Sequence, residues 1–398
     1  MTSRAHWLVL SLVVALTGCL VGAEYGDGGG NGAGGNGNGS GGGDGGGTPG
    51  PANRLRIDGN RIVDDKGAPV RLTGLSWFGL ETETFAPHGL GLRSMDSVLD
   101  QVVTAGFNTL RVPFSSRLFD PGATPTGIDA ALNPDLAGKS GPEVLDALVA
   151  KASARGLRII LDRHRPDAAA QSPLWYTAAY PEQRWIADWV KLAQRYRANP
   201  MVVAFDLHNE PHAEATWGSG DPATDWRLAA QRAGNAILAV HPDILLVVEG
   251  VEAYGGNYYW WGGNLRGVAA APVQLDRPDH VIYSPHEYPA SLYAQPWFSD
   301  PTYPANLPAV WDATWGSVAA TAPVLIGEFG SKLETDSDRA WIGKLAGYIQ
   351  GKQLSFTYWS LNPDSGDTGG VLLDDWKTLD ARKLGYLSPL LAPLLPLR

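Results

Sequence analysis

Short runs of apolar, β-branched residues recur along the chain after Asn53 and alternate with segments of helical periodicity. Runs of this length, each followed by polar residues, are typical of buried parallel strands. The pattern predicts eight strands, at Val70–Ser76, Thr109–Pro113, Arg158–Asp162, Val202–Leu207, Ile244–Glu249, Val281–Ser284, Val324–Gly327 and Ser355–Trp359.

Several segments between these runs have apolar residues at helical spacing. After Ser94, which suits an N-cap, such residues recur at Met95, Val98, Leu99, Val102 and Val103, and Gly106 suits the end of the helix. Similar patterns predict a helix from Pro142 to Gly156, one that contains Trp185, Trp189 and Tyr196, and one that contains Trp341, Leu345 and Ile349.

Strands that alternate with helices predict a parallel sheet with helices packed against it. Eight such units in roughly 345 residues, with no second region of different composition, favour an α/β fold of the (β/α)8 TIM-barrel type as a single catalytic domain at residues 53–398. A doubly wound open sheet is the main alternative, but its glycine-rich phosphate-binding turn is not found.

The N-terminal segment has the features of an export signal. Arg4 precedes a short apolar run, Trp7–Leu16, and the lone cysteine of the chain follows at Cys19. We expect residues 1–18 to be a lipoprotein signal peptide and Cys19 to be lipidated, with ordinary secretion after Ala23 as the alternative. Residues 19–52 are rich in glycine and predict a flexible linker between the lipid anchor and the folded domain.

Composition narrows the class of ligand. The formal net charge is −10, which disfavours nucleic acid and anionic lipid surfaces as partners. The chain has 15 tryptophans and 14 tyrosines, whose flat faces can stack on sugar rings as well as fill a core. A neutral or cationic ligand is therefore expected. We also expect the exported protein to be a monomer.

Polar residues cluster directly after the predicted strands, where the active sites of TIM barrels are built. Strand two contains Arg111, strand three is followed by His164, strand four by Asn209 and Glu210, strand six by His286 and Tyr288, strand seven by Glu328, and strand eight ends at Trp359. Two glutamates on opposite sides of a barrel mouth suit glycoside hydrolysis, which needs a proton donor and a nucleophile. We assign the general acid/base to Glu210 and the nucleophile to Glu328.

These residues, with the segments Asn209-Glu210-Pro211 and Glu328-Phe329-Gly330, resemble glycoside hydrolase family 5, a family of retaining (β/α)8 enzymes. The strings DRHRPD, DLHNEPH, YWWGGNL and NPDSGDTGG are similar to its bacterial endo-β-1,4-glucanase branch, and the resemblance covers residues 53–390. It implies a cellulase that acts on β-glucan and needs no cofactor. It also implies that supporting or sugar-binding roles fall to Arg111, His164, Asn209, His286, Tyr288, Trp359, Trp77 and Trp261.

Alternatives remain open at this stage. The same machinery serves mannanases, xyloglucanases and exo-acting β-glucosidases, and a non-catalytic glycan-binding protein would lack one of the two glutamates. A metal site is not predicted, because His208 and His212 flank a proline after a strand and no HExxH spacing occurs. Structural rather than catalytic roles are expected for His208, His212, Glu249, Glu252 and Glu287.

Overall fold

A computed structural model of the protein describes residues 54–394. Eight parallel strands form its centre: β1 Thr73–Ser76, β2 Thr109–Ser115, β3 Arg158–Arg165, β4 Val202–Asp206, β5 Leu245–Glu249, β6 Val281–Ser284, β7 Leu325–Ile326 and β8 Ser355–Tyr358. The proposed signal peptide, Cys19 and the linker lie outside the described residues. All eight predicted strands are present, with ends that differ by a few residues.

The strands close into a barrel. Parallel pairings join β1 to β2, β2 to β3, β3 to β4, β4 to β5 and β5 to β6, and on the other side β1 to β8 and β8 to β7. A parallel bridge between Tyr283 and Val324 joins β6 to β7 and completes the circle. Closure removes both sheet edges. The prediction of a (β/α)8 barrel is confirmed, and the open sheet is excluded.

Seven α-helices of the described residues surround the barrel: α1 Met95–Thr104, α2 Gly141–Ala154, α3 Glu182–Tyr196, α4 Trp226–Val240, α5 Leu307–Thr314, α6 Asp336–Lys352 and α7 Ala381–Leu387. Their starts follow from local chemistry. The Ser94 side chain accepts a hydrogen bond from the Ser97 N–H at the start of α1, and Ser140 and Glu143 form a capping box at α2. The helices predicted around Pro142, Trp185 and Trp341 are thus found as α2, α3 and α6.

The connection between β5 and β6 departs from the repeating pattern. In place of an α-helix, it contains a short hairpin and a 3-10 turn. The two strands of the hairpin are Ala253–Tyr254 and Asn257–Tyr258, and the 3-10 turn is Arg266–Ala269. Its glycines, prolines and aromatic residues have no helical spacing, which explains the difference. A groove of about 1130 Å³ lies beside this connection on the outside of the barrel. None of the predicted site residues lines this groove.

The barrel interior is apolar at its amino-terminal end. An antiparallel hairpin, Arg56–Asp58 with Arg61–Val63, covers this end, and its apolar residues pack with inward-facing side chains of the strands. This cluster comprises Leu55, Ile57, Ile62, Val70, Leu72, Ile160, Val203, Ala204, Leu245, Val247, Ile282 and Leu325. The polar residues selected from the sequence lie at the opposite, carboxyl end of the barrel.

Candidate active site

A cleft of about 730 Å³ opens at the carboxyl end of the barrel. Both glutamates singled out from the sequence line it, together with four of the predicted supporting residues: His164, Trp261, Tyr288 and Trp359. Arg111, Asn209 and His286 lie beneath them, fully or almost fully buried. The barrel therefore brings together the residues that the chain spreads from strand two to strand eight.

Glu328 follows β7 in a short strand, Glu328–Phe329, that pairs in parallel with His286–Glu287. Its Oε1 accepts a hydrogen bond from Arg111 Nη1, and its Oε2 accepts one from the Tyr288 hydroxyl at 2.6 Å. Burial alone would raise the pKa of Glu328, but the nearby charges of His286 and Arg111 outweigh it and lower the pKa to about 2. This carboxylate is therefore ionised at any ordinary working pH.

Glu210 comes after β4 and has a left-handed backbone conformation, with φ at +54°. Its side chain is 13% exposed to the cleft, and its Oε1 lies 2.9 Å from His286 Nδ1. One carboxylate oxygen of Glu210 and one of Glu328 lie within 4.8 Å of each other. The two acidic groups thus face a single gap in the same cleft, as a reaction at one bond requires.

Arg111 is the fully buried cation beneath this gap. Its guanidinium contacts Asp162 Oδ2 at 3.1 Å, Asp206 Oδ2 at 3.0 Å and Glu249 Oε1 at 3.4 Å, in addition to Glu328. Burial alone would lower its pKa, but the surrounding carboxylates raise the pKa well above its usual range. Arg111 therefore stays charged and partly neutralises a cluster of four buried acids.

Three of those acids were not among the residues selected from the sequence. Burial raises the pKa of Asp162 and of Asp206 to about 7 against the lowering effect of Arg111, and it raises the pKa of Glu249 well above its ordinary value. A signal for them was present, since each lies two residues beyond an inward-facing apolar residue: Asp162 after Ile160, Asp206 after Ala204 and Glu249 after Val247.

Two histidines take different protonation states in this cluster. Burial would lower the pKa of His286, but Glu249 and Glu328 raise it well above its ordinary value, so the ring is a cation between carboxylates. Burial lowers the pKa of His164 to about 4, and its Nδ1 lies 2.7 Å from Asp162 Oδ2. His164 is therefore a neutral side chain that lines the cleft, whereas His286 is a cation that interacts with the buried carboxyl groups.

Tyr288 and Asn209 are the remaining polar residues of the predicted site, and both are buried. Burial and the charge of Glu328 raise the pKa of Tyr288 well above its ordinary value, so its phenol remains a hydrogen-bond donor to that carboxylate. Asn209 Oδ1 accepts a hydrogen bond from Arg111 at 2.9 Å. Its Nδ2 is buried and has no partner among residues 54–394. An amide held in this way can donate to a hydroxyl group in the cleft.

Trp359 forms one wall of the cleft, and its ring lies nearly parallel to two neighbouring rings. Its ring centroid lies 5.2 Å from that of His164 and 5.3 Å from that of Phe78, with planes within about 10° of parallel in both cases. His88 meets Phe78 edge-on at 5.2 Å. These contacts restrict the orientation of the Trp359 indole. Phe78 was not singled out from the sequence.

The two tryptophans assigned to flanking sugar units differ in position. Trp261 is 43% exposed, stacks on His212 with 3.8 Å between ring centroids, and lines the cleft. Trp77, in contrast, is fully buried in the core, and its Nε1 donates to the His88 carbonyl oxygen at 3.0 Å. The expectation for Trp77 is therefore corrected: it supports the loop after β1 and has no face available to a sugar.

Two triads in the cleft have the donor atoms and spacing that could hold a metal ion: Asp162, His164 and Glu328, and Glu210, His286 and Glu328. Glu328 belongs to both, yet its oxygens already accept hydrogen bonds from Arg111 and Tyr288. The charges of Arg111 and His286 already occupy the positions that a cation would fill. The donor set therefore suits a carboxylate pair better than a metal centre.

Comparison with known proteins identifies the family. A model described as cellulase (glycosyl hydrolase family 5) matches residues 63–365, which is more than half of the chain. The chain belongs to glycosyl hydrolase family 5. It is 54% identical to an endoglucanase of Paenibacillus polymyxa over 343 residues, which cover 84% of this chain and 86% of that protein. It is 41% identical to the major extracellular endoglucanase of Xanthomonas campestris pv. campestris over 351 residues, 86% of this chain and 72% of that protein.

Solved structures of family 5 enzymes are similar to the whole barrel. The catalytic domain of the Xanthomonas campestris endoglucanase has 39% sequence identity and a TM-score of 0.81, and 84% of this chain and 99% of that chain are covered. An endocellulase from Pyrococcus horikoshii in complex with cellotetraose has 38% identity and a TM-score of 0.80, with 86% and 100% covered. The resemblance to family 5 noted in the sequence is therefore confirmed.

Proposed function

We propose that this family 5 protein is an endo-acting β-1,4-glucanase that hydrolyses internal bonds of cellulose or soluble β-glucan with retention of anomeric configuration. The observation that carries this proposal is the gap of no more than 4.8 Å between oxygens of Glu210 and Glu328. Retaining glycosidases have catalytic carboxyl groups about 5–5.5 Å apart, whereas inverting enzymes separate them by about 6.5–9.5 Å to admit a water molecule. The short gap favours retention.

In the first step, Glu328 attacks the anomeric carbon and forms a covalent glycosyl ester, while Glu210 gives its proton to the departing glycosidic oxygen. The lowered pKa of Glu328, about 2, supports its part because only the ionised carboxylate is a nucleophile. Arg111 and Tyr288 hold both of its oxygens, which orients the attack and keeps the carboxylate charged.

In the second step, Glu210 removes a proton from water, and the resulting hydroxide attacks the anomeric carbon and displaces Glu328. Both glutamates return to their starting states, and two inversions give net retention. The position of Glu210 supports this dual role, because its partly exposed side chain can reach both the leaving oxygen and incoming water. We propose that the Asn209 amide, free to donate, binds a hydroxyl of the sugar whose bond is cleaved.

The aromatic lining of the cleft supports a polymeric glucan as substrate. Trp359 provides a flat wall beside the two glutamates, and Trp261 continues the aromatic surface along the cleft. Tyr258 and Tyr293 are 70% and 65% exposed and line the same cleft further out. Flat rings suit the apolar faces of β-linked glucose units, and an open cleft accepts the middle of a chain. The names of the two relatives, both endoglucanases, agree with this substrate.

A side-by-side product profile on carboxymethyl cellulose, mannan and xyloglucan tests the proposal. We expect fast loss of viscosity on carboxymethyl cellulose and release of short cello-oligosaccharides of β configuration, with rates on the other two polymers at least about tenfold lower. Glucose as the first product would indicate an exo-acting β-glucosidase instead. Preference for mannan or xyloglucan would assign another β-glycan, and binding without cleavage would identify a glycan-binding protein.

We further propose that the enzyme is exported and attached to a membrane through a lipid on Cys19. The sequence before Cys19 supports this, and the Xanthomonas campestris relative is named as an extracellular enzyme. Among the helices of residues 54–394, none is long and apolar enough to cross a membrane. In this proposal the lipid on Cys19 is the means of attachment, and the glycine-rich segment follows it in the chain.

Replacing Cys19 by alanine should move the protein from the membrane fraction to the soluble fraction without a change in kcat. The reason is that the thiol is the acceptor of the lipid, whereas the active site lies in the folded domain. Fractionation of cells that produce each form measures the effect, and a Ser40→Ala variant in the linker serves as the matched control. Continued membrane association of the Cys19→Ala protein would contradict the anchor.

A further inference from the structure

We propose that Glu249 is a positioning residue that holds Glu210 in the orientation needed for proton transfer. This inference rests on the proposed retaining mechanism, in which Glu210 is the proton donor. Glu249 is the last residue of β5, and the sequence favoured a purely structural role for it. Its side chain is fully buried and does not line the cleft, so it acts through other residues rather than on the substrate.

The first contact is with the backbone of Glu210. Glu249 Oε2 accepts a hydrogen bond from the Glu210 N–H at 2.7 Å. Glu210 has a φ of +54°, a region that non-glycine residues rarely adopt and that persists only when the surroundings enforce it. A buried carboxyl oxygen that accepts a hydrogen bond from the amide of this residue is such a constraint. Without it, we expect the peptide before Glu210 to rotate and carry the carboxyl group away from the gap.

The second contact reaches the Glu210 side chain through His286. Glu249 Oε1 lies 3.2 Å from His286 Nε2, and His286 Nδ1 lies 2.9 Å from Glu210 Oε1. The imidazole is thus held between the two carboxyl groups. One oxygen of Glu249 accepts a hydrogen bond from the main chain of Glu210, and the other makes an ion-pair contact with the ring that meets its side chain. Together they define where the proton-donating group points.

Close packing surrounds Glu249. Trp226 Nε1 donates to the Glu249 carbonyl oxygen at 2.8 Å, which anchors the strand end. Gly262 covers the carboxylate with a φ of +65°, and a Cβ at this position would collide with Glu249 Oε2 and lie 3.1 Å from Glu210 Cα. Glycine is required here because the two glutamates and the chain at residue 262 approach closely.

Substrates with different leaving groups separate this role from a general structural one. Phenyl β-cellobioside needs a proton on its departing oxygen, whereas 2,4-dinitrophenyl β-cellobioside has a leaving group stable enough to depart without one. We expect Glu249→Gln to lower kcat/KM on phenyl β-cellobioside by about 100-fold, near the lower end of what general acid catalysis contributes. On the dinitrophenyl substrate the loss should stay below about fivefold, because kcat/KM there reports attack by Glu328 alone.

Glu182→Gln is the matched control, since Glu182 is a carboxylate that accepts hydrogen bonds from Trp175 and Arg232 far from the gap. It should lower Tm and leave the ratio of the two kcat/KM values unchanged. Glu249→Asp, which keeps the carboxyl group but retracts it by one methylene, should reproduce the leaving-group pattern. It replaces the amide variant if that one does not fold.

Equal losses on both substrates, as a defect in Glu328 would give, or no loss on either, would overturn the positioning role. The proposed function fails in a different way, namely if the unsubstituted enzyme cleaves neither β-cellobioside.

Discussion

Replacement of Glu328 by alanine should reduce turnover by at least about 10⁴-fold, because the group that forms the covalent intermediate is removed. Addition of sodium azide should restore part of the activity on 2,4-dinitrophenyl β-cellobioside. The truncated side chain leaves space next to Arg111 and the Tyr288 hydroxyl, two donors that can hold a small anion. Azide then attacks the anomeric carbon from the side opposite the leaving group, and the product is the α-glycosyl azide. Proton NMR of that product measures the inversion.

The corresponding Glu210→Ala variant is the control for this experiment. There the covalent ester on Glu328 still forms from the dinitrophenyl substrate, and azide attacks the ester in a second inversion. The product should therefore be the β-glycosyl azide, so that the same anion gives opposite anomers in the two variants. Unimpaired turnover by Glu328→Ala, or the β-azide from it, would remove Glu328 from the role of nucleophile.

The barrel was predictable because its signal is repeated. Each strand is an apolar run short enough to exclude a helix, and eight of them in one chain leave few architectures besides a closed cylinder. The connection after β5 was not predictable in the same way. Residues 250–280 contain turn residues and aromatic side chains without a helical period, and their conformation depends on tertiary contacts such as the packing of Gly262 against Glu210.

The sequence predicted which residues of the candidate site follow each strand. It did not predict the direction in which each side chain points. Trp77 and Phe78 are neighbours after β1, and the resemblance to family 5 assigned the sugar-binding role to Trp77. In the structure, Trp77 enters the core and Phe78 stacks on Trp359. Successive residues of an extended chain point to opposite sides, so an offset of one residue exchanges a core position for a site position.

The contacts between the charged groups of the site form only when the barrel closes, so no single segment of the sequence predicts them. The resemblance to family 5 gave Arg111 a supporting role, and its guanidinium contacts Glu328. Its other partners come from β3, β4 and β5, whose inward faces converge only after closure. The consequence is that one guanidinium neutralises acids from four different strands or strand ends. Loss of this residue should therefore affect stability as well as catalysis.

Replacement of Arg111 by methionine should lower the free energy of unfolding by about 3–5 kcal/mol at pH 7, since it leaves buried carboxylates without their cation. The loss should grow as pH rises. In the intact protein the pKa of Glu328 is about 2, below its ordinary value, so its ionisation favours the folded state. Without Arg111 the pKa of Glu328 in the folded state rises. An acid whose pKa is higher in the folded state than in the unfolded state stabilises the fold only at low pH. This stabilisation is lost as the pH increases from the unfolded-state pKa to the folded-state pKa.

Urea unfolding of the unsubstituted protein and the Arg111→Met variant at pH 5 and pH 8 measures this effect. The difference in unfolding free energy between the two proteins should be larger at pH 8. The kcat of the variant should fall by at least about 10³-fold because Glu328 becomes a partly protonated and poorly oriented nucleophile.

The control is Arg195→Met, which removes a guanidinium from a half-exposed ion pair with Asp146. It should lower the free energy of unfolding by about 1 kcal/mol or less, without a change in kcat. If Arg111→Met lowers the stability equally at both pH values, the pKa values of the surrounding carboxyl groups do not depend on the charge of Arg111. That result would contradict our explanation of why Glu328 is ionised.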